Sequence, residues 1–429
     1  LSPSGPLGAL GLDGTAAGIL AALVFFNLAV VVRTVGGLWE ELDHRAEDAA
    51  AALGATPWQV FRTVTLPALR PGIVSAATVV FLFCSTAFGV VLTLGGLRYG
   101  TVETEIYILT TQFLDLRAAA VLSVLQLLVV IGLLVVAGRT RGRRDVSLDR
   151  APRRRARRPG RRDVPALLVT VAVLAFLLLP QVALVIRSLR TENGWSLAAY
   201  RSLGTTGDDS ALLVPVWTAL ENSLRTAVDA TLIALTLGVI VAFLVSRPVR
   251  SRGERRGRAL LDGLFMLPLG VSAVTIGFGF LITLDRPPLD LRSSPLLVPV
   301  AQAMVALPLV VRTLVPVLRS VDPRQRQAAA TLGASAFQTL LAVDVPVVWR
   351  PALAAAGLGF AVSLGEFGAT SFLARPDRPT MPVVIYQLIS RPGAENFGTA
   401  LAASVVLGLA TVTVMAAVER LRVGSMGTF

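Results

Sequence analysis

The chain has 429 residues, of which 54% are hydrophobic and only 16% charged, and its mean hydropathy is +0.70. Soluble domains carry about 25% charged residues, so this composition excludes a large soluble enzyme and a disordered chain and indicates a membrane protein. The net charge is +13, and all 40 basic residues are arginine. Without lysine there is no Walker-type phosphate loop. One cysteine and one histidine exclude a disulfide framework and a metal site built from those residues.

Nine apolar segments are long enough to cross a bilayer as helices, which takes about 20 residues each. They lie at about 16–38, 72–96, 117–138, 164–187, 217–246, 259–284, 295–318, 352–373 and 398–418. The sequence therefore predicts an all-α, polytopic membrane bundle.

The placement of arginine assigns the two sides of the membrane. One set of loops carries about 27 arginines and the other about 11. Loops rich in arginine stay in the cytoplasm. The arginine-rich set comprises about 39–71, 139–163, 247–258, 319–351 and the C-terminal tail. The prediction is a multi-pass protein of a bacterial cytoplasmic membrane, with its N-terminus outside and its C-terminus in the cytoplasm.

Residues 139–163 form the clearest linker, with 12 arginines against three aspartates and a net charge of +9. Anionic lipid headgroups attract such a segment. It lacks the interleaved aromatic side chains of a nucleic-acid site, so no nucleic-acid partner is predicted. The linker separates a first half, residues 1–138, from a second half, residues 164–429.

Two loops on the arginine-rich side repeat each other. Residues 48–67 read DAAAALGATPWQVFRTVTLP, and residues 327–346 read QAAATLGASAFQTLLAVDVP. At an offset of 279, about nine of the twenty positions are identical. Because this offset exceeds any solenoid period, it indicates a duplicated domain.

Each repeat has the pattern of a helix–turn–helix. The alanine run favours helix, and Gly54 and Gly333 fall where a helix ends in a left-handed residue. An N-cap hydroxyl and a glutamine three residues later then form a capping box. These pairs are Thr56 with Gln59 and Ser335 with Gln338. Pro67 and Pro346 are expected to end the second helix before the next span.

Both repeats resemble the EAA loop of permease subunits of ABC importers, which has the pattern Glu-Ala-Ala, Gly and, after nine residues, a branched residue, any residue, Leu and Pro. The resemblance implies that the two loops dock ATPase subunits. The implied coupling residues are Asp48, Ala49, Ala50, Gly54, Thr56, Gln59, Leu66 and Pro67 in the first half, and Gln327, Ala328, Ala329, Gly333, Ser335, Gln338, Val345 and Pro346 in the second. This sequence departs from the pattern at Asp48 and Gln327, which replace Glu, and at Val345, which replaces Leu. The loss of charge at Gln327 removes any salt bridge from that position.

The fold that this resemblance implies is a tandem pair of type I importer (MetI-like) transmembrane domains. The family has six spans in each half, with the loop between the fourth and the fifth. The second half here has that arrangement, whereas the first half has one span before its loop and two after it. About three helices are therefore expected upstream of Leu1, so that the first domain is N-terminally incomplete.

Two further stretches are similar to fused permeases for thiamine and ferric iron, and the thiamine type in particular. They are residues 83–107 and 363–373, which share Phe-Gly at the offset of 279. The expected cargo is thiamine or ferric iron. Glu366 lies within the eighth predicted span, where an isolated carboxylate is costly. It is therefore predicted either to line the translocation path or to make a structural hydrogen bond.

The loops themselves indicate the partners. The outer loops, at most about 29 residues long, are shorter than a domain of roughly 50 residues, so a separate extracytoplasmic protein must bind the substrate. Two ATPase subunits, one for each EAA loop, are expected to supply the energy. The chain itself is then not an enzyme and binds no cofactor, because ATP is used by the partners.

Two other functions compete with this interpretation. A secondary transporter with duplicated halves would place coupling carboxylates in matched positions, but Ala87 stands where the second half has Glu366. A membrane-embedded enzyme would need titratable side chains clustered within the spans.

A reporter fusion tests the predicted topology. A reporter inserted within 139–163 should show a cytoplasmic location, and one inserted within 188–216 should show the outside, because arginine retains the first loop. A cysteine-labelling assay in intact cells gives a second measurement. The reverse result would overturn the sides assigned to both loops.

Overall fold

The computed structural model describes residues 11, 14–96, 98–141, 160, 163–191, 194–206, 211–247, 251–284, 291–292 and 294–423. Residues 142–159 and 161–162 of the predicted linker lie outside this range. The chain divides into two compact units, Leu1–Gln181 and Val182–Phe429.

The first unit is helical wherever the structure shows regular elements. In chain order its elements are α1 (Ala16–Glu41), α2 (Arg45–Ala52), α3 (Pro57–Val60), a π-helical segment (Phe61–Thr65), α4 (Leu66–Ser85), α5 (Gly89–Leu94), α6 (Val102–Thr111), α7 (Leu116–Arg141) and α8 (Val164–Ser188), which runs on into the second unit.

The second unit begins with a small hairpin and continues as helices. Its elements are β1 (Arg190–Thr191) and β2 (Gly194–Trp195), which pair antiparallel, then α9 (Ala198–Arg201), a 3₁₀ turn (Ser202–Gly204), α10 (Val216–Ser246), α11 (Arg252–Gly270), α12 (Ala273–Thr283), α13 (Leu297–Ser320), α14 (Pro323–Thr331), α15 (Ala336–Thr339), a π-helical segment (Leu340–Asp344), α16 (Val345–Leu364), α17 (Thr370–Leu373), α18 (Met381–Ile389) and α19 (Ala394–Val423).

The duplication extends far beyond the two loops. At the offset of 279, α3, the first π segment and α4 coincide residue for residue with α15, the second π segment and α16. An aromatic pair also recurs, since Phe88 contacts Tyr107 and Phe367 contacts Tyr386, each with ring centroids 5.3 Å apart. The run from α1 to α7 is therefore repeated as the run from α13 to α19.

Small side chains let the central helices of the second unit approach closely. The buried cluster between α10, α13 and α16 consists largely of alanine, with Val310 and Leu314 among its larger members. Gly238 of α10 is in the closest contact, because a Cβ built on it would lie 2.5 Å from Val310 Cγ1. Without a hydrophobic effect in lipid, such close packing is what holds membrane helices together.

Seven helices in the described part of the chain are long and apolar enough to cross a membrane, against the nine predicted. The predicted span 117–138 lies in α7, whose apolar stretch has side chains described only as far as Gly132. The predicted span 259–284 is wrong as one helix. It breaks at Val271 and Ser272, because the Ser272 hydroxyl accepts hydrogen bonds from two amides of α12 and starts a new helix.

Two other spans are shifted along the chain. The predicted spans 72–96 and 352–373 correspond to helices that begin near residues 57 and 336 and end at Ser85 and Leu364. A non-helical break follows each of them and precedes the short helices α5 and α17. Glu366 therefore lies in a break between helices and not within a continuous span.

The expectation that Pro67 and Pro346 end the second loop helix is wrong. Each proline is the second residue of a long helix that continues directly from a π segment. The residue before each proline donates its amide five residues back, Leu66 to Phe61 and Val345 to Leu340. The wider π turn accommodates a ring that lacks an N–H and crowds the preceding turn, so the helix runs on.

Gly238→Ala tests the close packing of α10 on α13. The added methyl group meets buried Val310, so the substitution should lower stability by about 1–3 kcal/mol. The measurement is the apparent melting temperature of the chain in detergent. Gly408→Ala is the matched control, because open space surrounds Gly408 and only helix propensity changes there. Equal melting temperatures for both variants would contradict the packing described.

Candidate functional site: two repeated helix–turn–helix loops

Loop 1 (residues 45–65) and loop 2 (residues 323–344) each turn sharply at a glycine. Gly54 has φ +87° and Gly333 has φ +83°, a left-handed conformation that glycine adopts without strain. The amide of the residue after the glycine donates a hydrogen bond to a carbonyl of the preceding helix. These bonds run from Ala55 to Ala50 and from Ala334 to Ala329, both at 3.1 Å or less. Together with the glycine amide, these bonds form a Schellman motif. The predicted left-handed turn is confirmed in both loops.

A capping box starts the second helix of each loop. Thr56 Oγ1 accepts from the Gln59 amide while Gln59 Oε1 accepts from the Thr56 amide at 2.8 Å. Ser335 and Gln338 make the same reciprocal pair, also at 2.8 Å. Both predicted capping boxes are confirmed. In each loop, the C-terminus of the first helix and the N-terminus of the second have hydrogen-bond partners, and only two residues separate the two caps. Each loop is therefore a rigid unit.

The structure brings the predicted coupling residues together in two matching sets. On α2 and α14 lie Asp48, Ala49 and Ala50, and Gln327, Ala328 and Ala329. At the turn and cap lie Gly54, Thr56 and Gln59, and Gly333, Ser335 and Gln338. Leu66, Pro67, Val345 and Pro346 begin α4 and α16. Their role in coupling stays a prediction.

Each loop also exposes two large apolar side chains. Leu53 is 90% and Leu332 87% exposed, and both precede the turn glycine. Trp58 is 69% and Phe337 68% exposed, and both occupy the second position of the following helix. Single exposed apolar residues are common, but the same two positions recur here in both copies. Each loop therefore presents a leucine and an aromatic ring on either side of its turn.

The two loops are fixed to their helices by different contacts. In loop 1, Thr65 Oγ1 donates to Glu47 Oε1 at 2.6 Å, and the other oxygen of Glu47 lies 2.7 Å from His44 Nδ1. Phe61 lies between the rings of Trp58 and Trp39, the latter at the end of α1. Hydrogen bonds and aromatic contacts thus hold loop 1.

In loop 2 the equivalent position of Thr65 is Asp344, which is fully buried. Its Oδ1 accepts from Arg326 Nη2 at 2.7 Å and from Nε at 2.9 Å. Its Oδ2 accepts from Arg247 Nη2 at 3.1 Å. Arg326 occupies the position that Glu47 has in loop 1, so the acidic and the hydrogen-bonding partner have exchanged places between the two copies.

Glu366 is buried and its carboxylate is occupied by hydrogen bonds. Oε1 accepts from the Ala369 amide at 2.7 Å, and Oε2 accepts from the amide and the hydroxyl of Thr370 at 3.0 and 2.5 Å. Gln302 of α13 donates to the same hydroxyl at 3.2 Å. These bonds cap α17 and connect it to α13, which is the structural hydrogen-bonding role considered for this residue.

Sequence reasoning missed two kinds of functional residue. The exposed Trp58 and Phe337 differ in type, so identity across the repeat did not mark them, although an aromatic ring at both positions was visible. Asp344 and Arg326 are unlike their counterparts Thr65 and Glu47. Only the contacts in the structure show that the members of each pair are bonded to each other.

A helical bundle with seven apolar helices long enough to cross a membrane and two repeated, exposed loops is consistent with a membrane transport subunit. The chain belongs to the binding-protein-dependent transport system inner membrane components, whose family model matches residues 7–142 and 234–422. The two matched regions contain loop 1 and loop 2, one in each. The chain is thus a fused permease of an ABC importer with two tandem transmembrane domains of MetI-like, all-α fold.

Several characterised permeases are similar along most of the chain. The thiamine transport system permease protein ThiP of Escherichia coli (strain K12) is 28% identical over 87% of this chain and 67% of its own length. ThiP of Brucella abortus (strain 2308) is 29% identical over 94% of this chain and 71% of its own. The molybdenum transport system permease protein ModB of Haemophilus influenzae is 35% identical over 42% of this chain and 82% of its own.

Gly333→Val tests the left-handed turn of loop 2. A β-branched residue at φ +83° costs about 1–2 kcal/mol, so the Schellman bonds should open and their amides should exchange faster. Hydrogen exchange of residues 323–344 measures this directly. Gly333→Asn is the matched control, because asparagine tolerates this conformation. Unchanged protection in the valine variant would contradict a left-handed turn.

Proposed function

We propose that this chain forms the translocation pathway of an ATP-driven thiamine importer and that loop 1 and loop 2 each dock one ATPase subunit. The two exposed apolar pairs, Leu53 with Trp58 and Leu332 with Phe337, carry this proposal. They are rigidly presented and identically spaced, and large hydrophobic anchors of this kind fill pockets on a partner.

ATP hydrolysis in this proposal belongs to the partner subunits. The chain has no lysine for a Walker loop of its own. Closure of a docked ATPase pair displaces both loops, and the permease changes between inward and outward access as a rigid-body switch. The arginine-rich loops, both docking loops and the C-terminus lie on the cytoplasmic side.

Substrate capture belongs to a separate extracytoplasmic binding protein. The family takes its name from dependence on such a protein. The described segments on the opposite side from the docking loops are short, and the hairpin of β1 and β2 is the sheet structure seen among them. They offer too little chain for a binding domain of typical size.

Thiamine is the cargo that the relatives favour. The permeases named for thiamine match 87–94% of the chain, whereas the one named for molybdenum matches 42%. Glu366 contributes to the proposed pathway as a structural residue and not as a pore-lining carboxylate. Its bonds to Ala369 and Thr370 hold the break between α16 and α17 in shape.

Uptake by cells that lack their own thiamine importer tests both parts of the proposal. The cells should express the full-length chain with its ATPase and its binding protein and accumulate labelled thiamine, with no competition from molybdate or ferric ions. Leu332→Ser combined with Phe337→Ser should abolish uptake and release the ATPase on purification, because interface anchors contribute about 2 kcal/mol or more each.

Leu213→Ser is the control, because Leu213 is as exposed as Phe337 but precedes α10 on the other side. It should leave uptake unchanged. Normal uptake with the ATPase bound in the loop 2 variant would refute docking at these residues. Uptake of molybdate or ferric ions in place of thiamine would refute the cargo.

A further inference from the structure

Asp344 connects loop 2 to several helices at once. Its two carboxylate oxygens bind different arginines, Arg326 of α14 through Oδ1 and Arg247, the first residue after α10, through Oδ2. Arg326 Nη2 also donates to the carbonyl of Leu318 in the last turn of α13, at 3.2 Å. Asp344 itself is the last residue before α16. Asp344 therefore joins α10 and α16 to α14, and Arg326 adds the bond to α13.

The burial of the Asp344 carboxylate strengthens its ion pair with Arg326. Asp344 has no exposed side-chain surface, and Arg326 is 16% exposed. Charge-assisted hydrogen bonds of guanidinium to carboxylate are short and directional. Removing one partner from a buried pair is far more costly than removing an exposed one, because the remaining charge loses its compensation. Loop 2 is thus tied to the bundle through a carboxylate that water does not reach.

Loop 1 has a neutral residue, Thr65, at the position of Asp344. The hydrogen bond from Thr65 to Glu47 lies within the loop, and its carboxylate is part-exposed. A further contact joins the rings of Trp39 and Phe61, with centroids 6.1 Å apart, and reaches α1, the counterpart of α13.

We propose that Asp344 is a positioning residue that locks loop 2 to α10, so that a displacement of loop 2 moves α10, α13 and α16 together. This inference rests on the proposed docking of ATPases to the loops.

Arg247 offers the sharpest test. Its bond to Asp344 is the ion pair that reaches the end of α10, and its side chain is 36% exposed, so Arg247→Gln removes this ion pair and leaves the bond between Arg326 and Asp344 intact. The assay uses the full chain with its ATPase and binding protein in proteoliposomes and measures thiamine transported per ATP hydrolysed. Arg247→Gln and Asp344→Asn should each lower this ratio about tenfold with the ATPase still bound.

Two variants separate positioning from mere folding. Arg247→Lys should restore the ratio, because a single contact to one oxygen suits an ammonium group. Thr65→Val, the matched change in loop 1, should alter the ratio by less than about twofold, since one neutral donor is lost. A wild-type ratio in Arg247→Gln would overturn the inference, as would equal losses in Thr65→Val and Arg247→Gln. Failure of the wild-type chain to bind any ATPase would refute the proposed function instead.

Discussion

The need to satisfy backbone hydrogen bonds inside a bilayer governs how this chain connects its loops to its spans. A helix that enters lipid must keep every backbone amide hydrogen-bonded. Pro67 and Pro346 have no backbone N–H, so neither can donate the helical hydrogen bond at its position. The π segments at Phe61–Thr65 and Leu340–Asp344 solve this problem by lengthening one turn, so that the helix continues. The second helix of each loop is therefore continuous with the membrane helix that follows it. A displacement of the exposed end would therefore be transmitted to the membrane helix without an intervening flexible segment.

Rigid turns complete this arrangement. The Schellman motif ends one helix of each loop and the capping box begins the next, so little of the backbone at the turn lacks a partner. The same geometry recurs after 279 residues, together with the aromatic pair behind each break. Where a displacement must travel from an exposed surface to a bundle, conformational freedom at the turn would absorb it.

The sequence was sufficient for features that depend on local chemistry. Backbone sterics predict the two glycines with φ above +80°. Hydrogen bonds between close neighbours predict the two capping boxes, Thr56 with Gln59 and Ser335 with Gln338. Apolar length predicted most spans. The rule that proline ends a helix failed at Pro67. The π turn before the proline keeps the helix continuous, and this turn depends on the whole helix and not on the local sequence. The break at Ser272 and the pairing of Asp344 depend on tertiary contacts that no local pattern contains.

The exchanged acid between the two loops limits how the copies can recombine. Duplicated segments within one gene are prone to conversion of one copy by the other. If the α2 sequence replaced α14, Glu47 would take the place of Arg326 and meet the buried carboxylate of Asp344, leaving two like charges where one was neutralised. The reverse replacement would set an arginine beside Thr65, which carries no charge, and would bring no like charges together. Replacement of α14 by the α2 sequence is therefore expected to be the more costly exchange.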